Sequence, residues 1–555
     1  MEKIKENTIV EEIKRRILDN ERGLVWITPE KSLETKLIVR NAKKNYASLF
    51  NEEFGVNDDR VFWPLIKTHV DSITGNLDYD LSDIKVLSKL SKFKGTAFLA
   101  SELLRCKLKE GKFGSLFNEA AKELALSGTV VIRTNNNDKL AKAPKSFLVD
   151  IENFITDFND NEPTWFVERV PMNRYSVPKI WNKDVLDKSP ATKFKDAGNK
   201  VLYDKVIGYR YEGLMPRGWI NGTTDEDEVY GLIWMTGLEG QGEPYVQSRR
   251  ILGKDATKCS YDFAQFVPNQ NRFISVGVAE ALENLQKYIN LVVNNRVQRA
   301  NLASTGIVQV RKGSGITPKD IKELPQSAAI VVDNIDQDIK FTQVPDVSAV
   351  SFNEEASINQ SANTLTGSTE ASRGQINRGV TLGQANLEAN FSGQRFQYHR
   401  ESLGFMFENI LSKWIKMIAE NMDEEETVNI TSDETLKEVA AEQAKYDHMQ
   451  IANTMSQRFG DMAGQMAMKN QDVRNELVNQ RLSKNEWKLA KESLKDFKYK
   501  IEIVINNETK DLNAIAQNII QALPIVTQLP DGQQLIEPLT NKFFEILGLS
   551  RASLK

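Results

Sequence analysis

A chain of 555 residues with 40% apolar and 27% charged side chains is too long for one core, and at about 100 to 200 residues per domain it divides into two to four. Lys plus Arg number 72 against 76 Asp plus Glu, a formal net charge of -4, so contact with DNA or RNA has to come from local patches rather than from a basic whole. Only Cys106 and Cys259 occur, which excludes a disulfide framework and a Cys-rich zinc site and makes reduced, cytoplasmic folding the expectation.

The opening MEKIKENTIVEEIKRR is charged and helical without the apolar core of a signal peptide, and no run reaches the ~18 apolar residues of a membrane span. Residues 1–125 read as mostly helical: Ile9–Leu18, Leu33–Phe54, the segment VFWPLIKTHVDSITG, and Thr96–Leu124 with a break near Lys112. TVVIRT, Thr129–Thr134, is a strand and hairpin entry, because a β-branched run is followed by the turn Asn135–Asp138. TWFVERV, Thr164–Val170, is a second strand. A short helix follows, with Ser176 as N-cap and Pro178 in its first turn, running toward Leu186 and stopping near Pro190.

From 200 to 266 the period changes to two: Ile207, Tyr209 and Tyr211 alternate, and Val229–Thr236 and Tyr245–Leu252 are extended between Gly, Asn and acidic turns. This predicts a small β-rich subdomain inserted between two helices. Val278–Ala303 gives the most regular helix signal. Val278, Leu282, Leu285, Ile289 and Val292 form one stripe, while after Glu283 no acid appears until Asp320 and Lys287, Arg296, Arg299, Arg311, Lys312 and Lys319 lie between. Such a helix is either an ordinary surface helix with a solvated basic face or one of many copies lining a passage for a polyanion.

Three strand-like runs come next: TGIVQVR, AAIVVD and IKFTQV. Between Pro345 and Pro524 no proline occurs, which permits long helices. Within that gap Thr364–Gln384 holds four glycines and reads as a flexible loop carrying Arg373, Gln375, Asn377 and Arg378. Ala385–Asn421 is a long helix with Leu387, Phe391, Leu403, Phe407, Ile410, Trp414 and Ile418 as its buried stripe, and Gly393 and Gly404 as places to bend. Asp423–Glu426 ends it, VNIT is a short strand, Glu434–Lys495 is helical, KYKIEIVIN is a strand, and the last 45 residues are helical again.

Catalytic constellations are missing. His69, His399 and His448 are isolated and read as helix-surface or boundary side chains, and HExxH, GxxxxGK(S/T) and GxSxG are absent, so metalloprotease, P-loop and serine-hydrolase chemistry lack their residues. GLEGQG, Gly237–Gly242, has the wrong order of glycines for a phosphate loop and reads as a turn. The run Asp225, Glu226, Asp227 and Glu228 reads as a solvated tip rather than an ion site, since successive carboxylates point in different directions.

The order of these parts resembles the portal proteins of tailed bacteriophages, in particular those of short-tailed phages, over most of the chain. AKELALSGTVV (Ala121–Val131) looks like the family's helix running through a Gly into a strand, and WFVERVPMNRYSVPKIW (Trp165–Trp181) is similar to the strand before the first stem helix. NRFISVGVAEALENLQKYINLVVNNRVQRANLASTGIVQV resembles the second stem helix with its entry and exit, with Gln286, Asn290 and Asn294 as the most telling residues. SFNEEASINQSANTLTGSTEASRGQINRGVTLGQANLEANFSGQRF resembles the tunnel loop feeding the long helix across the ring.

The resemblance implies an α+β portal protomer with a helical wing, a two-helix stem, a β-rich clip and a small helical crown. Its parts would be wing 1–171, first stem helix and approach to the clip 172–199, clip 200–271, second stem helix 272–304, wing sheet 305–363, tunnel loop 364–384, long wing helix and C-terminal wing 385–509, and crown 510–555. It further implies a homo-oligomeric ring, usually of twelve, at one capsid vertex, assembled in the host cytoplasm and carried in the virion. Its partners would be the major capsid protein, the terminase large subunit, tail adaptor proteins and double-stranded DNA without sequence specificity, with no membrane, cofactor or catalysis. Lys287, Arg296, Arg299, Arg373, Gln375, Asn377 and Arg378 would line the DNA channel, and Asp225–Glu228 would touch terminase or adaptor at the clip. A helical scaffolding or inner-core protein is the alternative, and a nucleic-acid enzyme a more distant one.

Overall fold

The computed structural model describes residues 6–503 apart from 29, 51–59, 78–83, 89–93, 139–140, 142, 174–180, 182–191, 196–200, 224, 238–244, 269–270, 306, 313–338, 343–347, 369–381, 422–432 and 484–498. Over these residues the chain is mixed α and β. The expected first stem helix, the AAIVVD and VNIT strands, the acidic stop Asp423–Glu426 and the crown fall outside them.

Helix α1, Glu6–Asn20, buries Ile9, Val10, Ile13 and Ile17, the spacing of an amphipathic face. Three residues on, β1 (Leu24–Thr28) and β2 (Lys31–Glu34) form an antiparallel hairpin, and α2 begins only at Thr35 and ends at Tyr46. The expected helix start at Leu33 is thereby corrected. Gly23 sits at φ 65°, and its carbonyl accepts from both the Thr35 N–H (3.0 Å) and the Thr35 hydroxyl (2.7 Å), which closes the hairpin and holds the chain extended up to Glu34.

Next come α3 (Leu65–Asn76), β3 (Ile84–Ser88), α4 (Lys94–Glu110) and α5 (Phe113–Ser127). The break between α4 and α5 is at Lys112, φ 51°. These helices and α2 surround the largest apolar core, where Phe113 packs edge-on against Phe407 and Trp414 and Phe117 stacks on Phe407.

Strand β4, Thr129–Thr134, has the predicted limits and lies between β5 (Ser146–Val149) and β12 (Tyr261–Gln265) in a three-stranded antiparallel sheet. A larger sheet is built from β6 (Phe154–Thr156), β7 (Trp165–Asn173), β8 (Thr192–Lys195), β9 (Val201–Pro216), β10 (Glu228–Thr236) and β11 (Tyr245–Gly253), in the order β11-β10-β9-β7-β6 with β8 also on β9. One turn of helix, α6 (Arg217–Asn221), joins β9 to β10.

The predicted strands are present, but the segment 200–271 is not a self-contained insert. β7, from the expected wing, pairs with β9 from Trp165↔Gly213 to Asn173↔Lys205, and β12 pairs with β4. The reason is burial: Tyr209 and Tyr211 face one core while Arg210 and Glu212 on the opposite side of β9 are also buried, so β9 requires strands at both edges and layers on both faces.

Helix α7 runs Val278–Thr305, two residues beyond its expected end. It is followed by the antiparallel pair β13 (Ile307–Val310) and β14 (Ile339–Thr342), and then by α8 (Ser348–Thr366). The last part of the expected wing sheet 305–363, from Ser348 on, is therefore helix. α9, Leu382–Asn421, buries Leu403, Phe407, Ile410, Trp414 and Ile418 as predicted, whereas the side chains of Leu387 and Phe391 lie outside the described set. α10 (Asp433–Phe459), α11 (Asp461–Lys469) and α12 (Gln471–Ser483) follow. β15, Tyr499–Ile503, pairs with β3, bringing residues from opposite ends of the chain into one ribbon.

Candidate nucleic-acid interface

The candidate surface is built on α7, 28 residues or roughly 42 Å at about 1.5 Å per residue. Its entry is fixed by a tight crossing. Ser275 donates its hydroxyl to the Gly128 carbonyl (2.6 Å) and its N–H to Thr129 Oγ1 (2.9 Å). Gly128 has φ 83°, and a Cβ there would lie 2.2 Å from the Ser275 carbonyl oxygen, so only glycine allows α7 to leave this close to β4.

One face of α7 is core: Val278, Ala279, Leu282, Ile289, Val292 and Val293 are buried, and Leu285 packs on them partly exposed. It lies against α2, α3, α5 and α8, so within the chain α7 is held by helices of the expected wing.

A second face carries the amides. Gln286 Oε1 accepts from the Ile66 N–H (3.0 Å) and its Nε2 donates to the Trp63 carbonyl. Asn290 Oδ1 accepts from the Trp63 N–H (2.8 Å), while Asn294 accepts from the Val61 N–H (2.7 Å) and donates to the Val61 carbonyl (2.9 Å). Side chains four residues apart thus grip a stretch running from Val61 into α3. The amide series that stood out in the sequence therefore makes an internal joint, and its first two members, Gln286 and Asn290, are buried.

The third face is mixed, its cations lying among the exposed Tyr288, Leu291 and Val297. Lys287 is 61% exposed and pairs with Glu283 at 2.8 Å, a surface i,i+4 pair that screens its charge only weakly. Arg299 is exposed. Arg296 is different: it bonds Glu355 of α8 at 2.6 Å and lies over the Phe352 ring at 4.2 Å, with both partners of the ion pair largely shielded. Its charge is compensated within the chain, and Glu355, distant in sequence, is the acid that a count of charges along α7 misses. Arg311 and Lys312, just past β13, are exposed. Arg373, Gln375, Asn377 and Arg378 lie outside the described residues; α8 reaches Thr366 and α9 starts at Leu382, so both ends of the expected loop Thr364–Gln384 are helical.

The acidic run has a local structural role. The Asp225 carbonyl accepts from Gly218 N–H (2.8 Å), Asp225 Oδ1 accepts from Asp227 N–H (3.1 Å), and the Asp227 carbonyl accepts from Arg217 N–H (2.7 Å). It forms the turn between α6 and β10, with the Glu226, Asp227 and Glu228 residues exposed. Among the described residues no group of three or more His, Cys, Asp and Glu could hold a metal ion, and no helix is long and apolar enough to cross a membrane.

Sequence reasoning missed the polar joint between the two larger sheets. Arg210, fully buried, donates to Glu212 (3.1 and 3.2 Å), Asp138 (3.1 Å) and Ser260 (2.8 Å). Glu212 also accepts from Asn137 (2.9 Å) and the Ser260 N–H (2.5 Å). Tyr261 donates to Glu168 at 2.8 Å, and Arg133 pairs with the same carboxylate at 2.8 Å. Desolvation works against the charge of Arg210, but Glu212, with Tyr261, Asp138 and Glu168, outweighs it and pushes the pKa up. The signal in the sequence was the alternation of Tyr209 and Tyr211 with Arg210 and Glu212, two faces of one strand with neither suited to water.

Two further buried charges stand out. Lys413 pairs with Asp262 at 2.6 Å, and burial pushes the Asp262 carboxyl up to about 6 against the pull of Lys413. Burial, with Arg169 nearby, brings Lys36 down to about 7 while its ammonium faces the Glu152 carbonyl (3.2 Å) and the Phe158 ring. The histidines are not at the helix-surface or boundary positions expected of them. All three are buried, His69 Nδ1 against the Thr366 hydroxyl (3.0 Å) and His399 Nδ1 against the Phe266 carbonyl (2.6 Å), with the His399 ring stacked on Phe266. No protein-family model and no curated protein matches the chain.

Proposed function

We propose that the chain is one protomer of a tailed-phage portal: a ring, of twelve copies in the usual case, at one capsid vertex, through which double-stranded DNA is packaged and ejected and to which terminase and then tail adaptors dock. The observation that carries the reading is α7, a long helix gripped on two sides by its own chain, with Lys287 and Arg299 on exposed positions. Rigid anchoring suits a rail. Sparse cations suit passage, because each phosphate neutralised releases counterions and ~6 to 10 firm contacts per ligand already give tight, salt-sensitive binding. A conduit that bound so strongly would stall its cargo.

Agreement of the predicted and observed order of elements supports the same reading: helices, β4 after a glycine, the β-rich stretch, α7, the β13–β14 pair, and the long α9. Electron-microscope averages of the purified full-length protein test it. Rings with an open centre are expected; a monomer under all capsid-assembly conditions, or filaments of the kind a scaffolding protein forms, would overturn it.

A further inference from the structure

Cations from both larger sheets meet at the end of β4 remote from α7. The turn Asn135–Asn137 follows β4, and its hairpin is closed by the Asn135 N–H donating to the Lys145 carbonyl (3.0 Å) and the Lys145 N–H donating to Asn135 Oδ1 (2.8 Å). From the other sheet, Arg250 on β11 donates to the Asn137 carbonyl (3.0 Å), and Asn137 Nδ2 donates to the Lys258 carbonyl (2.7 Å). Asn137 Nδ2 also bonds Glu212 (2.9 Å) and Ser260 Oγ (3.0 Å), so the turn is seated on the buried Arg210–Glu212 joint. Lys145, Arg250 and Lys258 are thus each bonded to one short turn. Lys254 is next to them, because the Lys258 Cγ lies 3.4 Å from where a Cβ on Gly253 would be.

Their charge is not cancelled. Lys145, Arg250, Lys254 and Lys258 are exposed and form no ion pair with any described residue. Asp138 is taken by Arg210 (3.1 Å) and Arg133 (3.8 Å). Lys145 and Arg133 both stand over the Phe147 ring, at 5.0 and 5.1 Å, which attracts cations without neutralising them. Against the four exposed cations stands the exposed Asp255, a net charge of +3 on a chain whose total is -4. The surface also lacks an apolar centre: among the described residues of 133–147 and 249–260, Ile251 is the one exposed large apolar side chain, and it projects from the face of β11 opposite Arg250. A protein partner is held by aromatic and aliphatic anchors buried at the middle of an interface. Grouped Arg and Lys with amides between them fit instead the phosphates of a nucleic-acid backbone, which are contacted without regard to sequence.

We propose that the Asn135–Asn137 turn with Lys145, Arg250, Lys254 and Lys258 is a second polyanion site, one that holds nucleic acid by its backbone phosphates. It goes beyond the conduit reading and does not depend on a ring. β4 has six residues, roughly 20 Å at about 3.3 Å each, and α7 leaves from its other end at Gly128 and Thr129. Lys287 and Arg299 stand singly along α7, whereas four cations are grouped here, and concentrated charge of one sign draws in and retains a polyanion.

The test uses the full-length protein and a labelled random-sequence duplex, followed by fluorescence anisotropy over a salt series. Lys145→Gln, Arg250→Gln and Lys258→Gln together are expected to weaken binding at least tenfold at low salt. The slope of log affinity against log salt should become shallower by about 2.7, at about 0.9 for each of three phosphates. The charge-keeping set Lys145→Arg, Arg250→Lys and Lys258→Arg is expected to bind as the parent does. Acetylation of the unsubstituted protein supplies a reading that no folding defect affects: duplex should slow labelling of Lys145, Lys254 and Lys258 at least fivefold and leave the exposed Lys31 and Lys469 unchanged. An unaltered slope in the glutamine set, or equal labelling with and without duplex, would overturn the proposal. Displacement of the duplex by polyglutamate as readily as by unlabelled duplex would overturn it too, the surface then serving an acidic protein segment. Ring formation is a separate readout: monomers that hold duplex through these lysines would sustain this site while images overturned the portal reading, and rings without this footprint would do the reverse.

Discussion

Helix α3 begins at Leu65 behind Pro64, which makes no side-chain cap bond, yet its first-turn N–H groups have to be satisfied. Gln286 on α7 does this from outside, accepting from Ile66 and donating to the Trp63 carbonyl and to Asn290 Oδ1 (3.2 Å). Gln286→Met keeps length and flexibility and removes both polar ends. It leaves the Ile66 N–H unpaired beside a residue only 1% exposed, while the Trp63 carbonyl keeps its bond from the Leu65 N–H (2.9 Å). At about 1–3 kcal/mol for a buried unsatisfied group, the variant should lose about 1–3 kcal/mol locally. Hydrogen exchange over residues 61–76 reads this without assuming that a chain of this size unfolds in one step, and opening there should accelerate roughly 5- to 150-fold, at tenfold per ~1.4 kcal/mol. A change below about threefold would refute the capping role. Unchanged exchange together with altered DNA passage would place Gln286 on the channel wall instead.

Other outcomes follow from the buried charges and the exposed cations. For Lys36 the folded pKa lies below the unfolded value, so its burial penalty is complete below about pH 7 and is relieved as pH rises from about 7 to 10.5. Stability in urea titrations should rise through that window in the parent, by an amount of order 5 kcal/mol at most, and Lys36→Met should be more stable at neutral pH and lack the rise. Asp262 has its folded pKa raised from 3.8 to about 6, so its contribution to stability falls as pH climbs through that interval. Lys413→Met alone should lower stability by about 3–5 kcal/mol, and Lys413→Met with Asp262→Leu should recover most of it in the same melts. Lys287→Ala with Arg299→Ala should flatten the salt dependence of DNA binding to assembled rings, by about 0.9 in slope for each phosphate that is no longer neutralised, whereas Arg296→Ala should change thermal stability and leave that slope unaltered.

Much of the fold was legible because single strong signals set it. β4 was bounded by Gly128 and the Asn135 turn, α7 by an unbroken stripe, and the α4–α5 break by its position near Lys112. What stayed hidden depends on pairs distant in the chain. Among the described residues β3 pairs only with β15, and nothing local in IKVLS announces that. The β1–β2 hairpin depends on the Thr35 bonds to the Gly23 carbonyl, which override helical periodicity at Leu33. The candidate surface was obscured in the same way: a tally along one helix cannot include Glu355 fifty-nine positions later, nor a backbone at Trp63 that takes up Gln286 and Asn290. Polar side chains on a half-buried helix therefore give an upper limit to what faces solvent.

This limit bears on the proposed conduit. Of the polar side chains on α7, Gln286, Asn290, Asn294 and Arg296 are bound to the protomer itself, and Lys287 and Arg299 remain outward. Anchoring and display are thus divided between faces of one helix: the amides fix α7 in rotation and translation against α3, and the Arg296–Glu355 pair ties it to α8. A cation on a mobile support would follow a passing phosphate and prolong each contact. On the proposed reading, a helix clamped in this way would keep its geometry while the duplex moves, so that successive phosphates would meet the same weak field and none would be retained.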